Sequence, residues 1–155
     1  MIYTPATVAA LKLCYEAHKG QVDKAGVPYV FHPVHVAEQI DPNDPHAEEL
    51  ICIALLHDVV EDSCYTFDDL EKMGFAGSVV EALRLMTHDP KISYMDYVKN
   101  LSSNPLARKV KMEDLKHNMD RTRIRTVTEP DEQRIKKYQE AYSYLENCAV
   151  SSKED

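Results

Sequence analysis

The chain has 155 residues, of which 44% are hydrophobic and only 4 are glycine, so it is long enough to form one compact domain with its own core. Its net charge of −8 argues against a nucleic-acid-binding surface, which requires a basic face. No stretch approaches the roughly 20 consecutive apolar residues that cross a bilayer, and the first residues lack the pattern of a secretory signal. The four cysteines show no CxxC spacing, which fits a reducing compartment. We therefore expect a cytoplasmic protein with neither a membrane nor a nucleic-acid partner.

Helix-start and helix-stop signals divide the chain into eight predicted helices. Proline follows a capping residue or a short polar loop at residues 5, 33, 45 and 105. Proline is well tolerated in a first turn because its missing N–H has no helical acceptor there. Thr66 and Asp69 form a predicted capping box, and Gly20 and Gly74 are typical helix stops. The predicted helices cover residues 5–18, 33–40, 45–62, 67–73, 78–87, 94–102, 105–121 and 129–147.

No segment shows the alternation of apolar and polar residues that a strand requires. The last predicted helix carries Ile135, Tyr138, Tyr142 and Leu145 three or four positions apart, as one packing face. The sequence therefore predicts an all-α fold, a single-domain helical bundle of about eight helices over residues 1–150. The remaining residues, 151–155, are predicted to form a flexible C-terminal tail.

The segment LLHDVVEDS at residues 55–63 places four ionisable side chains in an apolar run. On a helix, His57, Asp58, Glu61 and Asp62 fall within an arc of about 140°. Crowded carboxylates raise one another's pKa unless a cation is present, and burying unpaired charge is costly. A divalent metal would resolve this repulsion, and imidazole together with carboxylate suits Mn, Fe or Co. The alternative is a solvated helix edge with ordinary surface acids, which the flanking leucines and valines disfavour.

Two distant segments offer partners for this acidic face. YVFHPVHVAEQI places His32 just before a proline-started helix, at its N-cap. KVKMEDLKHNMD places Asp114 inside an apolar-flanked helix, with Asn118 one turn further on the same face. Either segment alone would usually be structural, so the interpretation depends on the combination.

Together, the order His, His-Asp, Asp resembles the HD superfamily of metal-dependent phosphohydrolases, and most closely the hydrolase domain of RelA/SpoT-type proteins and the stand-alone small alarmone hydrolases. HKGQVDKAGVPYVFHP meets the family pattern H-x-G-Q-x-R-x-x-G-x-P-Y-x-x-H-P, with Asp23 at the position of the arginine. ALLHDVVEDS meets A-L-L-H-D-V-V-E-D-T, and KMEDLKHNMD meets K-L-A-D-R-L-H-N-M. The resemblance runs from about residue 8 to residue 145 and implies an HD-type helical bundle.

The resemblance also implies roles for individual residues. The implied ligands of one divalent metal, with Mn²⁺ as the expected ion, are His32, His57, Asp58 and Asp114. Glu61 and Asp62 are the implied catalytic acids, which orient or deprotonate the attacking water. The implied substrate-binding residues are Lys24, Asn118, Arg134 and Tyr138.

The reaction that the resemblance implies is hydrolysis of the 3′-diphosphate of guanosine 3′,5′-bis(diphosphate), with release of pyrophosphate. The expected partner is therefore a nucleotide, and the sequence indicates no particular oligomeric state. Asp23 keeps a broader HD phosphohydrolase, acting on another nucleotide or phosphoester, open as an alternative. A non-catalytic alarmone-binding sensor is a second alternative, which the intact pair of Glu61 and Asp62 disfavours.

Overall fold

A computed structural model describes residues 1–151 of the chain, and this part is built from nine α-helices and one 3-10 turn. The helices are α1 (Pro5–Ala17), α2 (Phe31–Glu38), α3 (Ala47–Leu56), α4 (Val59–Asp62), α5 (Phe67–Lys72), α6 (Gly77–Met86), α7 (Tyr94–Ser102), α8 (Pro105–Asn118) and α9 (Glu129–Ser151), and the 3-10 turn is Arg121–Arg123. Within residues 1–151 there is no β-strand, and the single β-bridge joins Val22 to Pro28. The predicted all-α fold is confirmed.

The predicted helix 45–62 is divided into α3 and α4 by a break at His57 and Asp58. Nδ1 of His57 lies 2.6 Å from the carbonyl oxygen of Ala54, so the ring donates to a group that would accept the N–H of Asp58 in an uninterrupted helix. A side chain that competes for a helical acceptor favours a break at that point. The prediction of one continuous helix was wrong here because this ring contact cannot be read from periodicity.

Local capping signals were reliable, whereas Pro33 and Pro45 do not mark the helix starts: α2 begins before Pro33, and α3 begins at Ala47, two residues after Pro45. Thr66 accepts the N–H of Asp69 in a complete capping box, as predicted. Helix α2 begins at Phe31, two residues earlier than predicted, so His32 lies in the first turn and not at the N-cap. The first-turn N–H groups have no helical acceptor, so a proline at the third position, Pro33, costs no backbone hydrogen bond.

Two glycines end helices in the left-handed region of backbone space. Gly20 follows α1 with φ +79°, and Gly74 follows α5 with φ +87°. Glycine adopts these angles without the steric penalty of a Cβ atom, so both predicted stops are confirmed.

Helix α3 is the centre of the bundle and packs against α1, α2, α6 and α8. All seven side chains of residues 50–56 are at most 1% exposed. A helix that is apolar on every side belongs in the interior, which explains the long hydrophobic run in this segment. The run ends at His57, so the ionisable residues begin where the chain leaves the core.

Helix α9 covers the bundle by packing on α7 and α8. Its predicted face is confirmed: Ile135 and Leu145 are buried, and Tyr138 and Tyr142 are partly buried against the core. The helix extends through Ser151, and the rest of the predicted tail, residues 152–155, lies outside the described residues. Among the helices of residues 1–151, none is both long and apolar enough to cross a bilayer.

Candidate metal centre and adjoining cleft

Four side chains converge where α2, α8 and the break between α3 and α4 meet. Nε2 of His32 lies 3.2 Å from Nε2 of His57 and 3.0 Å from Oδ1 of Asp114. Nε2 of His57 lies 3.1 Å from Oδ2 of Asp58 and 3.5 Å from Oδ1 of Asp114. The two histidines and Asp114 are buried. Two imidazole nitrogens and two carboxylate oxygens therefore share one small volume.

The spacing and chemistry of these atoms fit a divalent metal ion. Neighbouring ligands that lie about 2.1 Å from one ion are roughly 3.0–3.4 Å apart, which matches the distances above. His32, His57 and Asp58 each offer an atom within 4.8 Å of the other two, and Asp114 joins them through Oδ1. Mixed imidazole and carboxylate donors suit first-row divalent ions.

A second histidine fixes the orientation of His32. Nδ1 of His32 lies 2.7 Å from Nδ1 of His117, whose ring is stacked on that of His35 with 4.0 Å between centroids. Burial, and then the charge of Arg123, lower the pKa of His117 to about 3, so this ring is neutral and accepts the N–H of His32. The other nitrogen of His32 is thereby left to face the centre, as metal-binding histidines require.

Asp114 is held on both oxygens. Nζ of Lys111 lies 2.8 Å from its Oδ2, and Nδ2 of Asn118 donates to its Oδ1 at 2.6 Å. Burial acts to raise the pKa of Asp114, but its neighbours, above all the ammonium of Lys111, outweigh burial and hold that pKa well below its usual value. Asn118, which was predicted to contact substrate, thus also positions a candidate metal ligand.

Asp58 is held by a tyrosine from the loop that precedes α2. The hydroxyl of Tyr29 donates to Oδ2 of Asp58 at 2.6 Å. Burial and the negative charge of Asp58 raise the pKa of Tyr29, so the phenol keeps the proton that it donates. Burial is the largest single influence on Asp58 and opposes its ionisation, but the charge of His57 and the hydrogen bond from its ring, together with the charge of His32, outweigh burial and lower the pKa of Asp58. The carboxylate therefore faces the centre in its ionised form.

Glu61 and Asp62 lie in α4, on the rim of a cavity of about 380 Å³ that His57 and Asp58 also line. Oε1 of Glu61 accepts the backbone N–H of His88 at 2.8 Å. Desolvation in the cleft, followed by the negative charge of Asp58, raises the pKa of both Glu61 and Asp62. Two carboxyl groups with raised pKa values beside a candidate metal centre are suited to proton transfer.

A second cavity, of about 300 Å³, opens beside the first and contains the four predicted substrate-binding residues, Lys24, Asn118, Arg134 and Tyr138. Tyr29, Asn118 and Tyr138 line both cavities, so the two adjoin each other. Nζ of Lys24 lies 3.2 Å from Oδ1 of Asp131, and Arg134 pairs with the same oxygen. The buried Asp131 therefore fixes two cations on the wall of this cavity.

Asp23, which replaces the arginine of the family pattern, has a structural role in its loop. Its Oδ1 accepts the N–H groups of Ala25 at 2.8 Å and Val27 at 3.0 Å. Its Oδ2 lies 3.7 Å from the guanidinium of Arg123, which lines the same cavity. A guanidinium is thus present in the cleft although position 23 carries an acid.

Sequence reasoning missed four residues that shape the site: Tyr29, Lys111, Arg123 and Asp131. Weak signals for three of them were present. Tyr29 belongs to the quoted PY motif, Lys111 lies three residues before Asp114, and Asp131 lies three residues after Thr128 in a capping pattern. Arg123 had no signal beyond its place in a basic turn.

Comparison with known proteins places this site in a family. No model of a known protein family matches the chain. The chain is 36% identical over 109 residues to a chloroplastic protein of Oryza sativa subsp. japonica named as a GTP diphosphokinase, RSH1, and 38% identical over 81 residues to the bifunctional (p)ppGpp synthase/hydrolase SpoT of Escherichia coli K12. These matches cover 69% and 52% of this chain. The chain belongs to the RelA/SpoT-type HD-domain family.

The RelA/SpoT-type assignment confirms the resemblance drawn from the three sequence motifs. The chain spans 12% of the length of the Oryza protein and 11% of that of the Escherichia protein. A solved structure, described as that of a metazoan ortholog of SpoT, shares the fold with a TM-score of 0.78 and 24% identity, and the match covers 94% of this chain and 88% of the other. The predicted HD-type helical bundle is therefore confirmed.

Proposed function

We propose that this chain is a divalent-metal-dependent hydrolase that releases pyrophosphate from guanosine 3′,5′-bis(diphosphate) and leaves GDP. The observation that carries the proposal is the convergence of two imidazole nitrogens and two carboxylate oxygens, 3.0–3.5 Å apart in four contacts, beside the acids of α4. The names of the relatives support the substrate: one is a (p)ppGpp synthase/hydrolase, and the metazoan ortholog is described as hydrolyzing ppGpp.

His32, His57, Asp58 and Asp114 would hold the ion, which we propose to be Mn²⁺. When bound, it polarises a phosphoryl oxygen and lowers the pKa of water towards about 7. The chain itself prepares the site for an ion. His117 orients one imidazole, Tyr29 holds the carboxylate of Asp58, and Lys111 holds that of Asp114. Preset ligands lose little freedom when an ion binds.

Glu61 and Asp62 supply the proton transfers. One carboxylate accepts a proton from the attacking water as its oxygen bonds to the phosphorus next to the ribose. The bond between that phosphorus and the 3′-oxygen breaks, and the departing oxygen takes up a proton, so that the products are pyrophosphate and GDP. The raised pKa values of both acids bring them closer to neutral pH, where general acid–base catalysis is most efficient.

The second cavity would bind the nucleoside and its 5′-phosphates. Lys24 and Arg134 present positive charge there, and Tyr138 lies between this cavity and the metal centre. Cations anchored by a buried carboxylate are already in place, which reduces the entropy lost when an anionic ligand binds.

The test is an assay of purified protein with Mn²⁺ and guanosine 3′,5′-bis(diphosphate). We expect pyrophosphate release that a chelator stops and that Asp58→Ala abolishes. Release of inorganic phosphate from other nucleotides would favour a broader phosphohydrolase, for which Asp23 is the motivating residue. Tight nucleotide binding with intact substrate after prolonged incubation would favour a sensor.

Cys14 and Cys52 are buried free thiols, which supports a cytoplasmic location as part of this proposal.

A further inference from the structure

Two lysines line the cavity that contains the candidate metal ligands, and they differ in how their charge is compensated. Lys111, from α8, forms an ion pair with Asp114 at 2.8 Å and is largely buried. Lys137, from α9, lines the same cavity, yet within residues 1–151 no carboxylate oxygen lies within 4.0 Å of its Nζ. Lys137 therefore brings a positive charge to the cavity without forming an ion pair of 4.0 Å or less with any acid of residues 1–151.

Aromatic faces hold Lys137 in this position. Its Nζ lies 4.6 Å from the ring centroid of Tyr94 and 5.5 Å from that of Tyr138. The two rings contact each other, with 5.9 Å between centroids. Cation–π contacts orient an ammonium group without cancelling its charge or occupying all of its N–H donors. The ammonium group of Lys137 is thus held in position and still has N–H donors available for a ligand.

We propose that Lys137 binds the terminal phosphate of the 3′-diphosphate and makes the site select a diphosphate over a monophosphate. This inference rests on the proposed function, because it takes the reacting phosphorus to lie beside the metal ligands and the pair of Glu61 and Asp62. The terminal phosphate adds negative charge to a cavity that already contains four carboxylates. Lys137 offsets that repulsion, since Lys111 is already engaged by Asp114.

Geometry within α9 supports this division of the cleft. Arg134 lines only the nucleoside cavity and Lys137 only the metal cavity, while Tyr138, the i,i+4 neighbour of Arg134, lines both. Helix α9 therefore faces the two ends of the substrate with different residues. Lys136 and Lys137 are both exposed, but Lys136 lines neither cavity.

The first test compares Lys137→Met with Lys136→Met, which remove the same charge from adjacent positions. Methionine keeps the aliphatic packing against Tyr94. Loss of one hydrogen bond to a charged group predicts that Lys137→Met lowers kcat/KM for guanosine 3′,5′-bis(diphosphate) about tenfold or more. The same variant should leave phosphate release from guanosine 5′-diphosphate 3′-monophosphate unchanged, and Lys136→Met should alter neither. Equal losses on both substrates, or no loss with the diphosphate, would overturn the proposal.

A second test does not depend on turnover. Inorganic pyrophosphate and inorganic phosphate are titrated calorimetrically into Mn²⁺-loaded protein. We expect the wild-type chain and Lys136→Met to bind pyrophosphate more tightly than phosphate, and Lys137→Met to lose about tenfold of that preference. Equal affinities in the wild-type chain, or a preference that survives in Lys137→Met, would refute the role of Lys137. If the wild-type chain fails to release pyrophosphate, the proposed function is refuted. The binding comparison can still be measured in that case, so the two failures are distinguishable.

Discussion

Helix α8 carries two lysine–carboxylate pairs that have the same spacing and the same length in opposite surroundings. Nζ of Lys111 lies 2.8 Å from Oδ2 of Asp114, and the side chains are 12% and 4% exposed. Nζ of Lys116 lies 2.8 Å from Oε1 of Glu113, and the side chains are 51% and 23% exposed. Both pairs join residues three apart in one helix, in opposite order along the chain, and orientation changes the energy of such exposed pairs by only a few tenths of a kcal/mol, about 0.2–0.5 in all, so burial is the main difference between them.

Replacing Lys111 with methionine leaves the buried carboxylate of Asp114 without its ammonium partner. Breaking a buried pair in this way costs about 3–5 kcal/mol, whereas an exposed pair is worth about 0–1 kcal/mol. For a domain of this size, 1 kcal/mol shifts Tm by about 2–4 °C. Lys111→Met should therefore lower Tm by about 6–20 °C, and Lys116→Met by less than about 4 °C.

The measurements are thermal unfolding, for Tm, and urea unfolding, for the free energy of unfolding, both followed by circular dichroism with a chelator present so that a bound ion cannot replace the missing charge. Both variants should keep the m-value of the wild-type chain, because neither changes the surface exposed on unfolding. Equal small losses for the two variants would refute the reasoning. Such a result would mean that the hydrogen bond from Asn118 compensates Asp114 without Lys111.

Three further predictions concern the acids, the ligand support and the core. At saturating metal, the acid limb of the pH profile of kcat/KM should lie at a pH above the ordinary carboxyl range. The raised pKa values of Glu61 and Asp62 keep the general base protonated, and therefore inactive, up to a higher pH. An acid limb at ordinary carboxyl pKa values would contradict this assignment. Tyr29→Phe removes the donor to Asp58 and should weaken Mn²⁺ binding about 10- to 100-fold in calorimetry, with an unchanged far-UV spectrum. Leu55→Ala, at a fully buried position, should cost about 2–5 kcal/mol in urea unfolding, and a loss below about 1 kcal/mol would show that this part of the core can collapse.

Much of the fold could be predicted because the signals that delimit its helices are local. A capping box such as Thr66 with Asp69, or a proline such as Pro105 at the first helical position, acts through backbone groups within one turn. The break at His57 could not be predicted in this way. It depends on a ring that turns back onto the carbonyl of Ala54, in a run whose apolar pattern is continuous on both sides.

The candidate ligands could be proposed from residue type and order, whereas the residues that support them could not. Tyr29 reaches Asp58 across 29 positions of sequence, and Lys24 reaches Asp131 across 107. Such pairs are set by how the helices pack, and no periodicity in one segment reports them. The role of Lys111 could not be predicted either. A lysine three residues from an acid usually forms an exposed ion pair on the helix surface, whereas the pair of Lys111 and Asp114 is buried.

Two adjacent residues, His57 and Asp58, both face one centre at the break between α3 and α4. Successive side chains of a helix point about 100° apart, and both residues keep right-handed helical backbone angles, so the pair shares one face of the chain. At the break, Nε2 of His57 and Oδ2 of Asp58 lie 3.1 Å apart. Helix α4 then restarts and places Glu61 and Asp62 on the rim of the same cavity. The contact between His57 and Ala54 thus has two effects, because it fixes the imidazole and also occupies the carbonyl that would accept the N–H of Asp58 in a continuous helix.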